Sequence, residues 1–220
     1  MIRIDGGHGE SGGQILRTAL AFSMLTGKAF AIENIRKGRE TPGLKAQHLA
    51  AVKAAAKLCS AHVEGAELGS THLSFVPKAL KGSSLSIDIG TAGSATLLLQ
   101  SLLPALIFYR KCSVTITGGT DVSHAPPYDY FAHVFLPFLS RFANIKSQLI
   151  KRGYYPKGSG TIKLDIQPKY QLSQFPSFQE LRAHAQKEVP GYVFAKQPQL
   201  VHIKGLSHAS ADLQQANVAE

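Results

Sequence analysis

The sequence is poor in cysteine, with two in 220 residues, and this scarcity limits the chemistry it can support. Cys59 and Cys112 show neither metal-ligand spacing nor a disulfide pattern. Cys59 also lies among alanines and leucines, where a thiol is normally buried and inert. We therefore expect no redox centre and no metal site built on cysteine.

Long hydrophobic runs are also missing. The most apolar stretch, ATLLLQSLLPALIFY, is interrupted by Gln100, Ser101 and Pro104 and falls short of the roughly 20 apolar residues that a membrane span needs. The N-terminus leads directly into a strand-like run, without the basic segment and apolar block of a signal peptide. We therefore expect a soluble, cytoplasmic protein with no membrane partner.

Acidic residues are scarce relative to basic ones: 14 Asp and Glu stand against 24 Lys and Arg, which gives a formal charge of +10. Such an excess favours an anionic partner, of which nucleic acid is the usual one. The length and the 44% hydrophobic content are sufficient to bury a core in one large domain or two small ones.

The order of predicted elements indicates an α/β fold with an internal duplication. A strand over 2–5 leads through a glycine-rich loop into a helix from Gln14 to about Thr26, closed by Gly27. The segments LSIDIG and TAGSATLLLQSLLPAL repeat this order later in the chain. Gly6 and Gly90 lie 84 positions apart, as do Pro42 and Pro126. Equal offsets with matching element order predict two related units.

The character of the sequence changes after residue 167. Residues 168–199 contain four prolines with many Gln, Ser and Phe, which is typical of a linker. QLVHIKG then resembles a strand, and ASADLQQANVAE the start of a helix with no stop signal before Glu220. We therefore expect the sequence to be part of a longer protein.

The opening loop, GGHGESGGQILR, contains the pattern G-x-G-x-x-G and suggests a nucleotide site. A dinucleotide-binding interpretation is weakened because Glu33 lies inside a strand and Glu10 would repel a pyrophosphate. A Walker A loop is excluded because no Gly-Lys-Ser/Thr follows the glycines. A plain flexible turn accounts for the glycines but not for the acid.

A carboxylate beside a helix N-terminus is explained if a divalent cation links it to a phosphate. Such a site needs further cations, and the sequence supplies them at two places. Arg17 lies one turn into the first helix, three positions after Gln14. The segment IRKGRETPGLKAQH adds a second group, namely Arg36, Lys37, Arg39, Gln47 and His48, whose arginines suit bidentate phosphate contacts.

Six ordered motifs resemble the RNA 3′-terminal phosphate cyclase family: DGGHGESGGQILRTAL, IRKGRETPGLKAQHL, VEGAELGST, GTAGSATLLLQSLLPAL, GGTDVSHAPPYDY and RGYYPKGSG. The likeness runs from residue 2 to about 166, with a weaker stretch near the end. It implies ATP-dependent conversion of an RNA 3′-phosphate into a 2′,3′-cyclic phosphodiester. A histidine first takes AMP from ATP, AMP then moves to the RNA 3′-phosphate, and the neighbouring 2′-OH displaces it.

The resemblance also implies roles for particular residues. Glu10 would bind Mg²⁺ (or Mn²⁺), and Gln100 and Pro126 would contact the ATP nucleotide. The remaining predicted residues, Arg17, Arg36, Arg39, Gln47 and His48, would hold the RNA 3′-phosphate end and the ATP phosphates. RNA 3′-phosphate ends and ATP are therefore the expected partners, and the oligomeric state is not predicted.

The family's nucleophilic histidine lies in a third repeat, after a small inserted domain, and this sequence has no counterpart of it. No nucleophilic role is therefore assigned to His124, His133, His184, His202 or His208. The implied fold pairs two helices with a four-stranded sheet in each repeat. The expected division is 1–83 and 84–167 for two repeats, 168–199 for a Pro-rich linker and 200–220 for the beginning of the inserted α/β domain.

Two alternatives share this fold. One is a non-catalytic cyclase-like protein that binds RNA in ribosome assembly, but its relatives lose the acid and arginine pattern that Glu10 and Arg17 belong to. The other is an enzyme related to the enolpyruvyl transferases, which the six ordered motifs disfavour.

Overall fold

The computed structural model describes residues 1–192, 199 and 201–209, and it contains two units with the same order of elements. The first unit comprises β1 (Ile2–Asp5), α1 (Gln14–Thr26), β2 (Phe30–Glu33), α2 (Ala46–Cys59), β3 (His62–Glu64) and β4 (Leu73–Val76). The second comprises β5 (Ser84–Asp88), α3 (Ala95–Leu106), β6 (Cys112–Gly118), the helical segments α4 (Tyr128–Tyr130) and α5 (Leu136–Leu139), β7 (Ala143–Lys151) and β8 (Gly160–Pro168).

Each unit forms a four-stranded mixed sheet. The strand orders are β1-β2-β4-β3 and β5-β6-β8-β7. In both sheets the first two strands are parallel and the other pairs are antiparallel. The predicted α/β fold, with helices accompanying two four-stranded sheets, is confirmed.

The duplication is visible in matching turns, although its register differs by one residue from the predicted one. The carboxylate of Asp5 accepts the Gly7 N–H at 2.9 Å, and that of Asp88 accepts the Gly90 N–H at 2.8 Å. Gly7, and not Gly6, is therefore the counterpart of Gly90. Asp5 and Asp88 lie 83 positions apart, whereas their strand partners Glu33 and Thr117 lie 84 positions apart. The connection from β5 to β6 is therefore one residue longer than the connection from β1 to β2.

The core lies between the helices and the inward faces of both sheets. Alternating strand residues such as Phe30 and Phe75 point inward, and their rings stack 5.6 Å apart. Leu99 and Leu102 of α3 are fully buried, and α3 contacts both α1 and α2. The most apolar stretch of the sequence is thus a central helix that joins the two units.

Local signals set the ends of the helices. Gly27 closes α1 with a left-handed φ of 68°, as predicted. Ser94 begins α3 by accepting the Leu97 N–H at 3.1 Å. The helical region after β6 begins at Tyr128 and widens into a π-helical segment, Phe131–Phe135. Pro137 follows this segment, and because it has no N–H to donate, the regular hydrogen-bond ladder is displaced there.

The segment predicted as a Pro-rich linker, 168–199, contains a 3-10 turn, Leu172–Gln174, and an eleven-residue helix, α6 (Phe178–Glu188). Leu181 is buried and Phe178 packs against the hydrophobic core. Residues 201–205 of the predicted strand have no regular secondary structure. Leu200 and residues 210–220 of the predicted helix lie outside the described residues.

None of the described helices is both long and apolar enough to cross a membrane. Both cysteines are buried and free. Burial raises the pKa of Cys112 to about 11 and also raises that of Cys59, as expected for inert thiols.

Two glycines with the same φ angle allow a test of the packing between two loops. Gly43 lies in the loop between β2 and α2, and Gly69 lies in the loop between β3 and β4. Gly43 and Gly69 both have φ of 79°, but a Cβ on Gly43 would overlap the Gly69 carbonyl group, whereas one on Gly69 would have no atom of the described residues within 4 Å. We expect Gly69→Ala to lower the free energy of unfolding by about 1 kcal/mol through its backbone strain. Gly43→Ala should cost at least about 2 kcal/mol more, because of the overlap. Urea denaturation measures both, and equal losses would contradict this packing.

Candidate functional site

Two loops meet at one edge of the first sheet. Because β1 and β2 are parallel, the glycine-rich loop after β1 and the basic loop after β2 leave the sheet at the same end. The Gly6 N–H donates to the Glu33 carbonyl at 2.7 Å, and the Asn34 amide donates to the Asp5 carboxylate at 3.1 Å. The two loops predicted to form one site are therefore neighbours.

The N-terminus of α1 carries no side-chain cap. Its N-cap residue is Gly13, and among the described residues no side chain accepts the N–H groups of the first turn, which have no partner inside the helix. A Cβ on Gly13 would overlap the His48 ring and lie 3.1 Å from Arg17. A Cβ on Gly12 would lie 3.4 Å from Arg39. The absence of side chains here thus allows three nitrogen-rich side chains to approach the helix end.

His48 is buried, with 4% of its surface exposed. Its Nδ1 accepts the Lys45 N–H at 3.2 Å, so the proton of the neutral ring resides on Nε2, which faces Gly13. Burial, followed by the positive charges of Arg36 and Arg17, lowers the pKa of His48 to about 4. At neutral pH the ring is therefore an uncharged hydrogen-bond donor.

Arg17 approaches the same helix end from α1 itself. Its Nη2 donates to the Gln14 side chain at 3.1 Å, as their spacing predicts. Its Nε is buried and has no hydrogen-bond partner among the described residues, and burial lowers the pKa of Arg17. A buried guanidinium N–H without a partner is costly, and an anion bound at this point would remove the cost.

Glu10 and Arg39 form the outer part of the site. They are ion-paired at 3.5 Å, with side chains 93% and 44% exposed. Such exposed pairs contribute little to stability. Both groups are therefore available for other partners.

Arg36 is the exception among the predicted arginines. It has a left-handed φ of 58°, and its Nη1 donates to the carbonyls of Thr41, at 2.5 Å, and Gly43, at 3.1 Å. The side chain is buried beneath its own loop, which it holds in shape. Four charged residues were predicted to share a pocket. Glu10, Arg17 and Arg39 lie near the surface formed by Gly12 and Gly13. Arg36 lies behind this surface. A phosphate contact by Arg36 stays a prediction.

The predicted nucleotide contacts lie where the second unit meets the first. The Ser94 N–H donates to the Gln47 side chain at 3.0 Å. The Ser94 and Thr96 hydroxyls lie 2.9 Å apart, and Thr96 donates to the Pro126 carbonyl at 2.8 Å. Gln100 follows Thr96 by one helical turn and is half-buried. Hydrogen bonds therefore connect Gln47 to Pro126 across the two units.

A charged cluster in the second unit has no counterpart in the sequence predictions. Arg152 binds Asp121 at 3.1 Å and Asp129 at 2.7 Å. His208 lies 3.4 Å from Asp129, and its Nδ1 is 3.0 Å from the Tyr154 hydroxyl. Two of the resembling motifs contain all of these residues except His208, but only the folded chain shows that they meet.

Comparison with known proteins gives consistent results. The model of the RNA 3′-terminal phosphate cyclase family matches residues 8–186. RNA 3′-terminal phosphate cyclase of Archaeoglobus fulgidus is 52% identical over 170 residues, which cover 76% of this chain and 52% of that protein. The protein of the same name from Methanosarcina acetivorans is 46% identical over 217 residues, covering 96% and 61%. The chain therefore spans between half and two thirds of the length of the curated relatives that it matches.

The buried neutral state of His48 predicts a pH dependence of stability. Its pKa is lower in the folded chain than its ordinary value of 6.5, so the unfolded chain binds the proton more readily and stability falls as pH decreases from about 6.5 towards 4. Between pH 7 and pH 5 we expect a loss of roughly 2 kcal/mol from this residue.

Urea denaturation of His48→Asn at both pH values provides the control. Asn can still accept the Lys45 N–H but does not titrate, so the variant should lose about 2 kcal/mol less than the original chain between the two pH values. An identical pH dependence in both proteins would contradict the burial of a neutral ring.

Proposed function

This chain belongs to the RNA 3′-terminal phosphate cyclase family, and from that premise we propose that it binds RNA 3′-phosphate ends and ATP for the cyclase reaction. In that reaction the 3′-phosphate becomes a 2′,3′-cyclic phosphodiester. The observation that carries the proposal is the surface at Gly12 and Gly13, where an uncapped helix N-terminus meets Arg17, Arg39 and His48.

The groups at this surface suit a phosphate. The first-turn N–H groups of α1 point out of a helix end that carries partial positive charge. Arg17 and Arg39 add full positive charges in a planar geometry that matches phosphate oxygens. His48 adds an N–H without a further charge. All of these groups are donors, so an acceptor-rich anion satisfies them together.

The proposed nucleotide position lies next to this surface. Gln47 is adjacent to His48 on α2 and is bonded to Ser94, from which the hydrogen bonds continue to Pro126. We assign the ATP phosphates to the Gly12–Gly13 side, and the nucleoside to Gln100 and Pro126. Loops from both units would then hold one nucleotide, with Thr96 orienting Pro126 through its carbonyl.

The chemistry follows from the proposed substrates. In the family's reaction a histidine, which has no counterpart in this sequence, first displaces pyrophosphate from ATP and carries AMP. An oxygen of the RNA 3′-phosphate then bonds to the AMP phosphorus while the bond to the histidine breaks, which makes AMP the leaving group on the terminal phosphorus. The neighbouring 2′-OH then forms a new bond to that phosphorus, its proton is lost, and the bond to AMP breaks. Phosphoryl transfer depends mainly on positioning and charge stabilisation. Arg17 and Arg39 would supply the charge, and His48 would orient an oxygen through its Nε2–H.

Glu10 fits the predicted Mg²⁺ (or Mn²⁺). Its carboxylate is exposed and paired with one partly exposed arginine, and Mg²⁺ is often held by one or two carboxylates together with substrate phosphates and water. When bound, the ion would neutralise phosphate charge. Glu10 would hold it at the mouth of the Gly12–Gly13 surface.

Replacing Arg17 tests the phosphate site. We expect Arg17→Gln to weaken the binding of a short RNA with a 3′-phosphate about 10- to 100-fold, because a charge-assisted contact is lost. Binding of the same RNA with a 3′-hydroxyl should change little. The matched control is Arg182→Gln, which removes an exposed arginine on α6. Fluorescence anisotropy gives the dissociation constants, and equal losses for both RNA ends would contradict the assignment.

Replacing Glu10 tests the metal position. In the original chain, Mg²⁺ should tighten ATP binding. In Glu10→Gln, we expect this enhancement to disappear, while ATP binding in EDTA stays equal or becomes tighter because a negative charge is gone. Calorimetric titration with and without Mg²⁺ measures the difference. RNA binding without any ATP binding would instead favour the non-catalytic alternative.

A further inference from the structure

The outward faces of the two sheets differ in chemistry although their folds match. In the first sheet, the outward positions include three carboxylates, Asp5, Glu33 and Glu64, and one cation, Arg3. The second sheet has Lys146, Lys151 and Lys163 against Asp88 and Asp165. The duplicated scaffold therefore presents one acidic and one basic face.

The remaining outward positions of the second sheet are mostly hydroxyl and amide side chains. Serines and threonines are neighbours across β5 and β6, as Ser86 and Thr115 are, and Lys163 of β8 is the next residue in the same register. None of the outward residues of β5 to β8, all of them described, is aromatic. Such a face suits hydrogen bonds to phosphates and sugars, and it lacks the rings that stack on bases.

The two carboxylates on this face already have partners. Asp88 accepts the Gly90 N–H at 2.8 Å, and Asp165 is ion-paired with Lys163 at 3.7 Å. At the same end as Asp165, Lys111 and Lys146 line a groove of about 580 Å³. Arg110 precedes Lys111 and is also exposed. Positive charge is therefore concentrated at the end of the sheet where β5 and β6 begin.

The opposite end of the face adjoins the proposed site. β5 and β6 run in parallel from the basic end towards the loops that contain Gly93 and Gly119, whose backbones are bonded at 2.8 Å. Ser94, the next residue after Gly93, donates to Gln47. The seven residues of β6 cover about 20 Å, so the face extends over several nucleotides of a single strand.

We propose that the outward face of the second sheet, together with Arg110 and Lys111, binds the phosphodiester backbone of the RNA upstream of its 3′ end. This inference rests on the proposed function, since the 3′ end must lie at the Gly12–Gly13 surface. The contacts are to phosphates and sugars, so binding is independent of base sequence. Affinity then grows with RNA length and falls with salt.

The test compares two RNAs with a 3′-phosphate, a trinucleotide and an oligonucleotide of about 16 residues. The variant combines Lys111→Gln, Lys146→Gln and Lys163→Gln. The control combines Lys28→Gln, Lys53→Gln and Lys187→Gln, which remove the same charge from exposed positions elsewhere. Thermal unfolding of each variant checks that the fold is kept.

We expect the first variant to bind the longer RNA about tenfold more weakly at moderate salt. A plot of log affinity against log salt has a negative slope, and its magnitude should decrease by about 2 in the variant, which is about 0.7 for each of three lost phosphate contacts. The trinucleotide should bind equally well to all three proteins. Asp165→Asn should tighten binding of the longer RNA. The proposal is overturned if the control loses as much affinity as the variant, or if the longer RNA binds no more tightly than the trinucleotide.

Failure of the proposed function has a different signature. If the 3′-phosphate makes no difference to affinity while the three lysines still affect the longer RNA, the terminal-phosphate site is wrong and the face on the second sheet stands as an RNA-binding surface. If the 3′-phosphate strengthens binding and the three lysines have no effect, the terminal-phosphate site stands and the RNA-binding face on the second sheet is wrong.

Discussion

The candidate site depends on the uncapped N-terminus of α1. The equivalent helix of the second unit, α3, is capped by its own Ser94, but the N-cap residue of α1 is Gly13, which has no side chain to accept the first N–H groups of the helix. The helix dipole and these N–H groups are therefore directed at whatever occupies the space beside Gly12 and Gly13. The surrounding residues can be understood as adjustments to that open end.

His48 and the arginines show how the fold maintains positive charge there. Three cations close to one helix end repel each other, and the fold limits this repulsion in two ways. It keeps His48 neutral by burying it beside Arg36 and Arg17, and it binds the Arg36 guanidinium to backbone carbonyls. Arg17 remains with a buried Nε that has no partner among the described residues. Part of the potential stability of the loops is thus given up at the proposed anion site, as is common at functional sites.

Duplication allowed the two units to specialise. The first unit contributes the open helix end and the basic loop, and the second contributes Ser94, Thr96 and Pro126, which link to the first through Gln47. The outward faces diverged as well, one becoming acidic and the other lysine-rich. Because outward residues do not enter the core, they can change charge without altering the packing that the two units share.

The sequence alone determined the α/β class, the two repeated units, most element positions and the approach of Glu10 to Arg39. These features follow from local periodicity, from glycine at turns such as Gly27, and from parallel strands that end at one edge. Tertiary structure alone decided that Arg36 turns beneath its loop, that His48 is buried and neutral, and that Asp121, Asp129 and Arg152 meet. Side-chain direction and burial depend on contacts between residues distant in the chain, and a pattern of neighbouring letters does not contain those contacts.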